Sequence, residues 1–351
     1  MRALQRKLWR DLWHLRGQAL AVALIVAAGI ASFVTARGAY DSLWQSHVAY
    51  YRDYRFADVF ATLKRAPLEV ASRIARIPGV QAVEPRVVLG VTLDVPGLEE
   101  AASARLISVP DRRPSAMNLL HIRRGRSLDP SRSDEVLVSL PFAEANALEP
   151  GSSLGALING RWQRLRVAGV AISPEYIFEI PPQGLLPDAR RYGTLWIGER
   201  AVARAFDMKG AFNDLCLTLG PGADETTIIE VVDLLLERYG GLGAYGRADH
   251  PSHSRFTQEF DELRAWGRLL PAIFLGIAVF LLQVVTTRLV LMQRDQIAVL
   301  KAFGYSNGAV AAHYLAFVQL VVAAGAVLGT LVGLWVAEGL LSQYTRYFRF
   351  P

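Results

Sequence analysis

Three stretches of this sequence contain no charged residue: Gln18–Ala36, Leu269–Thr287 and Tyr314–Ala337. They are bounded by Arg16 and Arg37, by Arg268 and Arg288, and by His313 and Glu338. A helix rises ~1.5 Å per residue, so about 20 apolar residues cross roughly 30 Å of hydrocarbon. Lipid offers backbone N–H and C=O groups no partner, so such runs must satisfy themselves as helices. Three membrane spans are therefore expected. A cleaved signal peptide is the alternative for the first run, since Val34-Thr35-Ala36 loosely resembles a cleavage site. The run exceeds the ~7–15 residues of a signal core, which favours a retained helix. For the third run the alternative is a buried core helix, against which its length and glycine content argue.

Charge sets the orientation. The first 17 residues carry Arg2, Arg6, Lys7, Arg10 and Arg16 against Asp11, and residues 288–313 carry Arg288, Arg294 and Lys301 against Asp295. These two short segments hold the whole formal charge of +6, so the rest of the chain is neutral. Short basic segments stay cytoplasmic, whereas long domains cross regardless of charge. Residues 38–268 and the tail after Glu338 are then outside, with Arg346 and Arg349 in the tail mildly opposing the rule. Because the surplus sits beside the membrane, it points to anionic lipid and not to nucleic acid.

Between the first two runs, strand and helix signals alternate. "ADVFATL", "GVQAVEPRVVLGVTLDV", "ARLISV", "DEVLVS", "RWQRLRVAGVAI", "GTLWIG" and "DLCLTLG" read as strands. "PLEVASRIARI", "LPFAEANAL", "ERAVARAFD" and "DETTIIEVVDLLLERYG" read as helices. Interleaving of this kind argues for α+β subdomains, and the length fits two. "RGAYDSLWQSHVAYYRDY" and "SRFTQEFDELRAWGRLL" continue the spans outward as helical stalks, the second with Phe256, Phe260, Leu263 and Leu270 on one face. Pro271 is expected to kink it where it meets the membrane.

Catalytic chemistry is hard to find. There is no GxxxxGK[ST] phosphate loop and no HExxH. His250 and His253, with Asp249 adjacent and Glu259 further on, form a weak HxxH in a loop, and metal ligation needs more convergent donors. Arg123-Arg124-Gly125-Arg126 reads as a solvated turn. The single cysteine, Cys216, excludes an internal disulfide and lies in a strand-like run, where a buried inert thiol is expected. The chain reads as a non-enzyme with no metal and no directly bound cofactor.

The membrane runs are more informative. Ala19, Ala23, Ala27 and Ala31 recur every four residues in the first, and Gly325, Gly329 and Gly333 in the third. Small residues at this spacing let helix backbones approach closely in lipid. Between the second and third runs lies "QRDQIAVLKAFGYSN", residues 293–307. Ile297, Leu300, Val299 and Phe303 give it an apolar side, and Arg294, Asp295, Gln296 and Lys301 a polar one. Gly304 suits the left-handed cap that ends a helix, with Tyr305 and Leu300 as the flanking apolar pair, and Ser306 or Asn307 can cap the helix that follows. A capped cytoplasmic helix suits a docked partner; a helix lying on anionic lipid is the alternative.

"RDQIAVLKAFGYSNGAV" resembles the cytoplasmic segment of FtsX/MacB-type permeases of ABC transporters, through Arg294, Ile297, Leu300, Lys301, Ala302, Gly304, Tyr305 and Ser306. "RIPGVQAVEPRV" and the long piece from "RGRSLDPSRSDEVLVSLPFAEANAL" to "SPEYIF" are similar to the family's periplasmic core. The resemblance implies a multi-pass protein of the bacterial inner membrane: a membrane protein of three α-helical spans carrying a large α+β extracytoplasmic domain of two subdomains on helical stalks. Its parts would be a basic cytoplasmic segment 1–17, spans 18–36, 269–287 and 314–337, a MacB-like periplasmic core domain with stalks 37–268, a cytoplasmic loop 288–313 and an extracytoplasmic tail 338–351. It further implies a coupling helix of Arg294, Asp295, Ile297, Leu300, Lys301, Gly304 and Tyr305. The implied partners are a cytoplasmic ATPase subunit that holds ATP and Mg²⁺, a second permease copy or half, and a periplasmic adaptor or membrane-fusion protein. The implied work is mechanotransmission for export or extraction of a lipid, lipoprotein, peptide or drug; a scaffold that activates a cell-wall hydrolase and a membrane-anchored ligand sensor are the alternatives. Family members have at least four spans, so the chain reads as the front part of a longer permease. The orientation predicts that cysteines at Ser103 and Asp249 react with an impermeant thiol reagent in intact spheroplasts and that one at Asn307 does not; labelling at Asn307 alone would reverse it.

Overall fold

The computed structural model describes residues 2–182, 184 and 186–347, with side-chain surroundings from residue 6 to 341. The last four residues of the expected tail, and so Arg349, lie outside the described residues, as do the surroundings of the Arg346 side chain. In chain order the elements are α1 (Arg2–His14), α2 (Arg16–Asp53), β1 (Val59–Pro67), α3 (Leu68–Ile74), β2 (Val80–Arg86), β3 (Val88–Asp94) and β4 (Ala102–Val109). Then come β5 (His121–Gly125), β6 (Glu135–Ser139), α4 (Leu140–Ala145), β7 (Ser153–Ile158), β8 (Arg161–Ile172), β9 (Tyr192–Gly198), α5 (Glu199–Ala205) and β10 (Ala211–Leu219). The chain continues through α6 (Glu225–Leu236), β11 (Gly241–Gly246), α7 (Pro251–Met292), α8 (Arg294–Ala302) and α9 (Asn307–Tyr347). Two compact units result, one from residues 1–46 and 259–347, the other from residues 47–258.

In the helical unit, α2, α7 and α9 are each long and apolar enough to cross a membrane. The helices outrun the uncharged stretches: α7 continues through Pro271, and α9 extends past Glu338 to Tyr347. α2 and α9 approach closely. A Cβ placed on Gly325 would lie 2.6 Å from the Ala23 carbonyl oxygen, and one on Gly329 would lie 2.5 Å from that of Ala27. One on Gly333 would lie 3.0 Å from Ala31 and 2.9 Å from the Val34 Cβ. No side chain fits these positions, so backbone meets backbone, and Thr35 Oγ1 donates across the seam to the Gly333 carbonyl at 3.0 Å. On another side of α2, Gly29 meets Phe274 and Leu275 of α7. Beyond the apolar runs the helices stay paired by aromatic rings, Tyr40 and Trp44 packing on Phe260.

The second unit contains two sheets. The first is antiparallel, in the order β11-β1-β10-β2. Strand alternation sends Val59, Ala61 and Leu63 of β1, with Leu215 and Leu217 of β10, toward α3 and α6, where they meet Ile74, Val232 and Leu236. Phe60 and Cys216 point the other way, into the second and larger core. Burial on both faces explains why these strands read as near-continuous apolar runs. The second sheet runs β5-β8-β6-β9-β4-β3-β7, and a further β7–β8 pairing closes six of its strands into a ring. Leu93, Leu106, Val138, Leu154, Leu165 and Leu195 fill that core.

Where β2 ends and β3 begins, the chain passes from one sheet to the other and loses ladder partners. Side chains replace them: Ser108 Oγ accepts from the Val87 N–H, and Asn213 both accepts from and donates to Val88, all at 2.8 Å. Beside this crossing the buried Arg86 guanidinium donates to Glu175 at 2.5 and 2.8 Å and to Asp214 at 2.6 Å. Asn118 Nδ2 donates to Glu175 Oε2 at 2.8 Å, and the Tyr176 hydroxyl donates to Glu175 Oε1 at 2.7 Å. Burial alone would raise the Glu175 pKa; the Arg86 charge and hydrogen bonds outweigh it and hold the group at about 2. Burial dominates at Asp214, which is raised. The Cys216 thiol lies beside this cluster, 3.6 Å from Asn118 Nδ2, and burial pushes it well above the ordinary thiol range.

Two outcomes are expected. Gly329→Leu forces α2 and α9 apart, costing at least the ~1–3 kcal/mol of an overpacked site; it lowers the melting temperature in detergent, whereas Phe280→Leu on the exposed side of α7 leaves it unchanged. Arg86→Ala leaves two carboxylates buried without their cation, at a cost of about 3–5 kcal/mol, and Cys216, the single thiol, reports it by faster alkylation in the full chain. The Glu175 contribution is present above its unfolded pKa of 4.5 and is lost as pH falls toward about 2. In the variant both carboxylates are raised by burial, so acidification narrows its difference from wild type; a difference that widens would contradict the assignment.

Candidate functional site

The segment linking the second and third membrane helices is built by local signals. Asp295 lies in the first turn of α8 and Lys301 in the last, each favourable to the helix dipole. Gly304 stops the helix with φ +87°. The Tyr305 N–H donates to the Leu300 carbonyl at 3.1 Å and the Gly304 N–H to that of Lys301 at 2.9 Å, which together make a Schellman cap. The next helix starts at once, with Ser306 Oγ accepting from the Ala309 N–H at 3.2 Å. The turn is therefore fixed by hydrogen bonds on both sides of residues 303–306.

The apolar side read from the sequence divides in two. Ile297 and Tyr305 are half-buried against the helical core of Val22, Val310, Tyr314 and Phe317. Ile297 and Lys301 also line a groove of about 480 Å³ with Val290 of α7 and Val310 of α9. Leu300 is half-buried. Val299 and Phe303 face outward, at 54% and 80% exposure. Arg294 and Asp295 are almost fully exposed and pair loosely at 3.8 Å. Of the small residues, Ala23, Ala27, Ala31, Gly325, Gly329 and Gly333 form the α2–α9 seam, and Ala19 is buried in the core at its α1 end.

A polar cluster at the base of this core went unread in the sequence. Lys7 Nζ of α1 donates both to Asp11, one turn on, and to Oε1 of Gln293, which immediately precedes α8. The Tyr314 hydroxyl donates to the same Gln293 oxygen at 3.0 Å, and His313 Nε2 lies 3.3 Å from Asp11. Lys7, Asp11 and His313 are buried. Three parts of the chain, α1, the α7–α8 junction and α9, thus meet around one amide and one carboxylate. The signal was the spacing of Lys7 and Asp11 beside Leu8, Leu12 and Leu15, which makes residues 2–14 an amphipathic helix and not only a basic segment.

The other candidates resolve structurally. His250 is buried between Phe60 and Tyr245, and burial lowers it to about 4, so it is neutral. His253 Nδ1 shares a hydrogen bond with the Tyr51 hydroxyl at 3.1 Å. Residues 121–125 form edge strand β5 instead of a turn, and the neighbouring arginines are paired, Arg124 with Glu149 and Arg126 with Glu135.

Comparison with known proteins bears on these elements. The search of curated proteins finds no match. Two of the similar solved structures are an extracellular domain and a periplasmic region. One is the extracellular domain of the noncanonical ABC-type transporter YknZ from Gram-positive bacteria, at 14% identity and TM-score 0.35, covering 54% of this chain and 98% of that one. The other is the periplasmic region of MacB from Actinobacillus actinomycetemcomitans, at 12% identity and TM-score 0.35, covering 61% and 97%. Residues 268–351, which hold α8, α9 and the apolar run of α7, match the family model of the FtsX-like permease C-terminal region.

Proposed function

We propose that the chain is the membrane-spanning permease subunit of an ABC transporter, moved by a separate cytoplasmic ATPase that binds ATP and Mg²⁺. In this reading the N-terminus and α8 face the cytoplasm, the two-sheet unit is extracytoplasmic, and the membrane is the bacterial inner membrane. The cargo would be a lipid, lipoprotein, peptide or drug. The observation that carries the reading is α8: a short helix inside the family-matched region, capped at Gly304, held at Gln293 and presenting Val299 and Phe303 to solvent. Two exposed apolar side chains one turn apart suit an apolar groove on a partner. Ile297 supports α8 from behind, and Arg294, Asp295 and Lys301 surround the contact.

Burying a Phe or Leu is worth ~1.5–3 kcal/mol, so Phe303→Asp and Leu300→Asp should each weaken ATPase recovery by at least about tenfold in co-purification. Insertion and the two-sheet fold should be unaffected. Gly304→Val should act indirectly, because a β-branched residue resists the positive φ of the cap. A helix resting on lipid instead would be hurt most by Lys301→Glu and tuned by salt. Phe303→Asp and Leu300→Asp chains that bind and stimulate the ATPase like wild type would sink the coupling role.

A further inference from the structure

A second groove, of about 500 Å³, opens between α1, the start of α2 and the α7–α8 junction. Its polar lining comes from Arg10, His14, Gln18, Arg288, Gln293 and Gln296, over an apolar floor of Leu15, Leu289 and Met292. Asp11 also reaches it, but that carboxylate is engaged by Lys7 and His313. Among the described residues, neither Arg10 nor Arg288 forms an ion pair, so the groove carries two uncompensated guanidinium groups. Gln293 accepts through Oε1 from Lys7 and Tyr314, which leaves its amide nitrogen to donate.

We propose that this groove binds the phosphate of one anionic phospholipid. Guanidinium groups and amide N–H groups are the donors a phosphate monoanion needs, and arginine meets it in a two-pronged fashion that lysine does not. Position decides between a lipid and free phosphate. Arg288 closes one uncharged run and Gln18 opens another, so the groove lies at the level where hydrocarbon gives way to headgroups. Trp9 and Trp13, 66% and 72% exposed, stand on the same short helix, and Arg16 lies over the Trp13 ring at 5.2 Å. Indole rings exposed beside such a boundary sit among headgroups. The bound lipid touches α1, α2 and the α7–α8 junction at once and stabilises their arrangement.

The test uses the full chain in neutral phosphatidylcholine micelles titrated with phosphatidylglycerol, with bound lipid counted by native mass spectrometry. Wild type should take up one phosphatidylglycerol saturably. Each basic residue near a surface is worth ~1 kcal/mol, so Arg288→Gln should weaken uptake about fivefold and Arg10→Gln with Arg288→Gln about thirtyfold. Arg6→Gln with Arg294→Gln removes the same charge outside the groove and should change uptake by less than about threefold. Equal loss in the two double variants would mean diffuse attraction to the basic face and would overturn the proposal. So would displacement of the lipid by millimolar inorganic phosphate, or the lack of a saturable phosphatidylglycerol on wild type. If the Arg10/Arg288 pair fails to fold, Arg288→Gln alone, checked by its melting curve in phosphatidylcholine, decides between the same outcomes.

Discussion

The helical unit depends on how closely two backbones can approach in a solvent that gives no hydrophobic drive to association. Dispersion contacts and polar contacts must then do the work, and both fall away steeply with distance. Gly325, Gly329 and Gly333 bring the α9 backbone to the carbonyls of Ala23 and Ala27 and to Ala31, and Thr35 adds a hydrogen bond where that approach makes it possible. α7 packs on the Gly29 side of α2, and α1 folds back so that Leu8, Leu12 and Leu15 close the end of the core.

Much of this was legible because lipid and sheets both impose simple periods. The uncharged runs mark the spans, and alternation marks β1 and β10 down to which side chain faces which core, with Cys216 on the opposite face from Leu215 and Leu217. Three strands escaped. β11 is GLGAYG, whose glycines carry no pattern; β7 has a glycine at its centre; β5 lies at a sheet edge and is largely polar. The ring closure by β7 is a long-range pairing that no local signal announces. The Arg86 cluster was equally invisible, since Glu175 and Asp214 lie 89 and 128 residues away.

The segment at α8 was legible as a helix with a cap, because capping is local chemistry. Which of its faces stays exposed was not. An amphipathic pattern says that two sides differ, not which one the rest of the chain covers. Here Ile297 and Tyr305 are turned toward the protein's own core, and Val299 and Phe303 are left outside. The polar anchor at Gln293 was hidden for a related reason: Lys7 is 286 residues distant, and locally it registers only as charge.

That anchor has a mechanical consequence. The Gln293 oxygen is held from two sides, by Lys7 of α1 and by Tyr314 of α9, immediately before α8 begins. Phe303 lies ten residues on, a lever arm of about 15 Å at the helical rise. A push at Phe303 would therefore reach α9 through the hydrogen-bonded turn at Gly304 and Ser306, and α1 through the Gln293 amide.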